Sequence, residues 1–121
     1  MMKELFRIEL DPLSQKDLKG FPYNREEIVE EILKLEEKPT KGHDLKGNLQ
    51  GIKSLEFRIK GSGDYRAAYL LLEEDKVCLV FAVGTHENFY DLVSKRVKLV
   101  KPLLEKVRKA NREKSNKKPK H

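Results

Sequence analysis

A lone cysteine, Cys78, sits in the apolar run KVCLVFAV with no partner for a disulfide. A disulfide-stapled secreted scaffold is thereby excluded, and the thiol is expected to pack as a small hydrophobe in a reducing cytoplasm. No stretch of about 18 apolar residues occurs, which excludes a membrane-spanning helix. The N-terminal stretch MMKELFRIEL lacks both a long apolar segment and a small-residue cleavage site, so no signal peptide is expected. The three histidines, His43, His86 and His121, lie far apart, and no Cys/His or His-x-x-x-His spacing occurs. No metal site is expected. The acidic trio Glu73, Glu74 and Asp75 reads as a solvated turn. A Walker lysine motif and GxGxxG are both missing, and GSG at 61–63 is too short to cradle a nucleotide. No cofactor is expected.

What is present is charge, unevenly placed. Residues 1–107 hold 19 Lys and Arg against 19 Asp and Glu, so the net charge of +6 lies wholly in residues 108–121. Such a basic tail attracts polyanions without choosing a sequence. Lacking an apolar stripe, NREKSNKKPKH is expected to be disordered.

The rest of the chain reads as one domain with one modest core. LFRIEL alternates Phe6, Ile8 and Leu10 with Arg7 and Glu9, the period of a half-buried strand. Asp11 and Pro12 suit the N-cap and first turn of a short helix that ends at GFP, residues 20–22. Asn24 and Glu27 have capping-box spacing ahead of a second helix, whose stripe is Ile28, Ile32 and Leu35. Residues 39–51 are a loop by composition, with Lys46, Gly47 and Asn48 in a turn. Strands follow over SLEFRIK, DYRAAYLLL and KVCLVFAV, the last apolar enough to be covered on both faces. A final helix starts near Thr85–Asn88, and Pro102 inside it should kink it or begin another. The order β-α-α-β-β-β-α predicts an α+β fold: a helical hairpin on a small, mainly antiparallel sheet.

One stretch, FRIKGSGDYRAAY, concentrates cations where two strands meet. Alternation puts Arg58 and Lys60 on one strand face, and a hairpin brings Arg66 beside them. Like charges placed so repel, an arrangement that an anionic ligand relieves and that guanidinium groups suit for phosphate. The competing reading pairs them with Glu56, Asp64 or Asp44 on a solvated sheet. Downstream, His86 and Tyr90 stand four residues apart, where the apolar strand meets the last helix.

LKGNLQG, FRIKGSGDYRAAY and VCLVFAVGTHENFYDLVSKR together resemble the RelE-type toxins of the RelE/ParE toxin–antitoxin superfamily. The resemblance covers residues 3 to about 100. It implies a RelE-like toxin domain over 1–107, with the tail 108–121 outside it. It further implies a cytoplasmic, ribosome-dependent mRNA endonuclease that inhibits translation and is neutralised by a cognate antitoxin, the free toxin being a monomer. Position by position, Arg58 and Lys60 match the family's basic strand, Arg66 the arginine of the next strand, and Tyr90 the tyrosine of the last helix. His86 stands where many members carry another arginine. On this reading Arg66 and Lys60 stabilise the phosphorane and Arg58 holds the neighbouring phosphate. Tyr90 stacks on a base or shares in proton transfer, and His86 serves as acid or base. The rival expectations are a ParE-like gyrase inhibitor and a non-catalytic RNA- or ribosome-binding module.

Overall fold

A computed structural model describes residues 5–116. Five strands form one mixed sheet: β1 (Arg7–Leu10), β2 (His43–Asp44), β3 (Lys53–Ile59), β4 (Gly63–Leu72) and β5 (Val77–Thr85). Their spatial order is β1-β5-β4-β3-β2, antiparallel throughout except that β1 runs parallel to β5. Helices α1 (Pro12–Lys19) and α2 (Arg25–Leu33) form the expected hairpin on one face, and α3 (Phe89–Asn116) crosses the other.

Alternation along the strands divides the core. Leu55, Phe57 and Ile59 of β3 pack with Leu18, Ile28 and Ile32 under the hairpin. Ala68, Leu70 and Phe81 pack with Phe89, Val93, Val100 and Leu104 under α3. The β4–β5 register slips between Ala68 and Tyr69, leaving Phe81 as the extra residue of a bulge. Phe81 and Ala82 can therefore both face α3.

Asp11 caps α1 as expected, its carboxylate accepting the Ser14 N–H at 2.8 Å. The Asn24–Glu27 capping box does not form. The Asn24 side chain makes no cap bond and instead donates to Ser62 Oγ and Tyr65 OH, tying the α1–α2 corner to the β3–β4 turn. The expected loop at 39–51 contains the two-residue β2, and a 3-10 turn covers Gly47–Leu49.

Pro102 neither ends α3 nor starts another helix. It lies on the solvent side, where the carbonyl it leaves unbonded can reach water, while buried Val100 and Leu104 flank it. The helix also runs on to Asn116, so 108–116, expected to be disordered, are helical. Arg108 holds them by donating to the carbonyls of Gln50 and Asn48, and Lys114 pairs with Glu73. Residues 117–121 of the expected tail lie outside the described residues.

Among the described residues, every buried side-chain nitrogen and oxygen is hydrogen-bonded, with one exception. The Tyr69 phenol accepts from Gly42 N and donates to Pro39 O, and burial pushes its pKa up to about 12. Burial likewise pushes the Cys78 thiol up to about 12, which leaves almost no thiolate for chemistry. The exception is Ser54, whose Oγ has no partner. Ser54→Ala is expected to raise stability by about 1 kcal/mol, read as a higher urea midpoint at unchanged slope.

Candidate active site

Strand pairing assembles a polar row beneath the start of α3. Glu56 of β3 lies opposite Arg66 of β4, and Arg66 opposite Gly84 of β5. One row outward, Arg58 lies opposite Asp64, whose carbonyl accepts the His86 N–H at 3.1 Å. Directly opposed residues share a face, so Arg58 and Arg66 point to the same side, as alternation predicts. Lys60 stands just past β3, exposed in the turn.

Arg66 is the centre of the arrangement. Its side chain is only 15% exposed, against 79% for Arg58. One terminal nitrogen donates to the Tyr90 hydroxyl at 2.6 Å, and the other meets Glu56 Oε1 at 2.9 Å. The guanidinium carbon lies 5.2 Å from the Tyr90 ring centroid, within cation–π range. The same Glu56 oxygen faces His43 Nε2 at 3.5 Å. His43, Glu56, Arg66 and Tyr90 thus form one chain of polar contacts across β2, β3, β4 and α3.

Each link is held from behind. His43 is paired with Ser54 in the sheet, and its neighbour Gly42 is bonded to the buried Tyr69. A Cβ at Gly42 would come within 2.8 Å of the Tyr69 ring, so only glycine lets this corner close. Tyr90 projects from the first turn of α3, next to Phe89, which is 1% exposed. Farther along α3, Arg96 forms a two-pronged pair with Asp17 of α1, at 2.5 and 2.8 Å, and donates to Phe81 O. Asp17 also accepts the Val83 N–H. The carboxylate hydrogen bond raises the Arg96 pKa, so this clamp keeps its charge.

The expected set is therefore only partly gathered. Arg66 and Tyr90 are in contact; Arg58 and the His86 backbone share the adjacent row through Asp64; Lys60 lies beyond it. The unneutralised cationic cluster is not found, because Glu56 and Asp64 each face an arginine across the hairpin. The Arg58–Asp64 separation, 3.8 Å, is too long for a hydrogen bond. Arg66, by contrast, has five N–H donors and keeps some for a ligand. Two residues enter that sequence reasoning missed as functional. Glu56 was legible from register, since it alternates with Arg58. His43 gave no signal, because a two-residue strand in a glycine-rich loop has no periodicity.

The cleft between α1 and the start of α3, about 560 Å³, is lined by Asp17, Phe21, Thr85 and Arg96, and by none of Arg58, Lys60, Arg66, His86 or Tyr90. Among the described residues no three His, Cys, Asp or Glu side chains are grouped to hold a metal ion.

Known proteins bear on this geometry. The fold resembles a mutant of the Escherichia coli toxin RelE in its free state, with a TM-score of 0.60 and 21% identity over 77% of this chain and 98% of that one. It resembles equally the Mycobacterium tuberculosis toxin–antitoxin complex RelBE2, with TM-score 0.60 and 20% identity over 70% and 95% of the two chains. The intact E. coli RelBE complex matches with TM-score 0.53 and 20% identity, over 68% and 98%. No curated protein matches by sequence. A family model described as a ParE-like toxin of type II bacterial toxin–antitoxin systems matches residues 11–94. That match spans most of the chain, including β1's neighbour helix α1, every strand from β2 to β5 and Tyr90, and the chain belongs to this family of toxins.

Proposed function

We propose that this toxin cuts mRNA on the translating ribosome, using the RNA's own 2′-hydroxyl as nucleophile. The observation that carries the reading is Arg66, held between the Tyr90 hydroxyl and the Glu56 carboxylate, with His43 on the far side of that carboxylate. Such a reaction needs a base, a cation at the pentavalent phosphorus and an acid; in this reading the row serves as base and cation, and His86 beside it as acid.

The Glu56–His43 pair takes the 2′-hydroxyl proton as the oxygen bonds to phosphorus. Arg66, with Lys60, stabilises the charge of the phosphorane, and Arg58 holds the neighbouring phosphate. The bond from phosphorus to the 5′-oxygen then breaks, and His86 returns a proton to that oxygen. The products are a 2′,3′-cyclic phosphate and a 5′-hydroxyl. Tyr90, 46% exposed, stacks on a splayed base while its hydroxyl accepts from Arg66 and orients it. Among the described residues no helix is long and apolar enough to cross a membrane; action in the cytoplasm is part of the proposal. Two of the similar structures are complexes of RelE-type toxins with antitoxins, and a cognate antitoxin is the partner proposed for this monomeric toxin.

Purified protein added to reconstituted translation should leave cyclic-phosphate and 5′-hydroxyl ends on ribosome-bound mRNA, with gyrase supercoiling unaffected. Intact mRNA together with blocked gyrase would assign the chain to the gyrase-inhibiting branch. Intact mRNA and active gyrase, with the protein co-sedimenting with ribosomes, would make it a binding module.

A further inference from the structure

Half of the basic excess lies in helix α3: residues 108–116 hold four Lys and Arg against Glu113, a net +3 of the +6. From Phe89 to Lys114, α3 carries nine Lys and Arg against three Asp and Glu. Two of those cations are structural: Arg96 clamps Asp17, and Arg108 holds the carbonyls of Asn48 and Gln50. Six others, Lys95, Lys98, Lys101, Lys106, Lys109 and Arg112, are exposed and have no carboxylate partner among the described residues. They fall in two runs spaced by three residues along the exposed surface of α3, away from buried Val93, Val100 and Leu104, and Lys106 and Lys109 also line a cleft with Glu73, Glu74 and Asp75. Like charges at this spacing weaken a helix; Asp91, Glu105 and Glu113, four residues from Lys95, Lys101 and Lys109, offset part of the cost, but six cations face three carboxylates there.

We propose that this face of α3 is a docking rail for the phosphate backbone of structured RNA, separate from the cutting site. The rail spans about 25 Å at a rise of roughly 1.5 Å per residue, enough to follow several phosphates. Its side chains are cations on flexible stems without aromatics, which suits backbone contact that does not read bases. A membrane surface fits less well, because the apolar side of α3 is buried on the sheet and only Leu99 is exposed among the cations. The family match ends at residue 94, so the rail belongs to the segment beyond it. Tyr90, at the head of the same helix, places the rail in line with the proposed active site. The inference rests on the mRNA-cutting reading only for the choice of RNA as the polyanion.

The test measures binding of a 20-base-pair RNA hairpin to the full chain, as a function of salt, for wild type and the quadruple variant Lys98→Gln, Lys101→Gln, Lys109→Gln, Arg112→Gln. Glutamine keeps helix propensity, and circular dichroism verifies the fold. Affinity should fall at least about tenfold near 0.1 M salt, and the slope of log affinity on log salt should shrink by about 3. Loss of mRNA cutting in wild type, with hairpin binding still lost in the quadruple variant, would sink the nuclease reading and leave the rail standing. Unchanged hairpin binding by the quadruple variant overturns the rail. So does stronger binding to phosphatidylserine vesicles that the same four substitutions abolish.

Discussion

Replacing Arg66 with alanine is expected to lower single-turnover cleavage of ribosome-bound mRNA by about 10²–10³-fold, the effect of removing one preorganised donor from a developing oxyanion. The size follows from the surroundings. The guanidinium is largely shielded from water and fixed on two sides, by Tyr90 and Glu56, which preorganises it for a phosphate. Arg66→Lys should recover little, because an ammonium cannot hold the phenol, the carboxylate and a phosphate in one planar fork. Stability should change far less than activity, since the Glu56 left behind is 44% exposed and can be solvated. Cleavage at wild-type rate by Arg66→Ala would remove the proposed centre.

Asp17→Ala should give the largest loss of stability, about 3 kcal/mol by denaturant unfolding. Asp17 and Arg96 are each 14% exposed, and removing the carboxylate strands a guanidinium and the Val83 N–H together. Because the unmatched charge is the main penalty, Asp17→Leu combined with Arg96→Met should recover much of the loss. The clamp also fixes where α3 crosses β5, two turns from Tyr90. Asp17→Ala should therefore slow cleavage even where the protein is fully folded, and the double replacement should restore folding better than cleavage. An unfolding midpoint matching wild type for Asp17→Ala would show that the pair adds nothing.

Most of the fold was legible, because strand and helix periods are local. Leu55, Phe57 and Ile59 declared β3 by alternation, and Asp11–Pro12 declared the start of α1. The failures came where tertiary contacts override local preference. Asn24 has a capping side chain, yet Ser62 and Tyr65 claim it. Pro102 left open a kinked helix or a new one, and burial of Val100 and Leu104 on either side carries α3 through. The segment from Arg108 has no apolar stripe of its own, and its helix is held by carbonyls and a carboxylate from distant turns. The site divides in the same way. Arg66 with Tyr90 could be anticipated from their positions after the turn and at the helix start. Glu56 as the partner of Arg66 required the strand register, and His43 required knowing that a loop residue pairs into the sheet edge.

The most direct measurement is the structure of the toxin on a ribosome whose mRNA carries a 2′-O-methyl group at the cleavage site, which blocks the nucleophile. The scissile phosphate should lie within hydrogen-bond reach of the Arg66 guanidinium, with the methylated oxygen directed at Glu56 and His43. A phosphate seated instead against the α1–α2 hairpin, or in the cleft beside Asp17, would contradict the assignment.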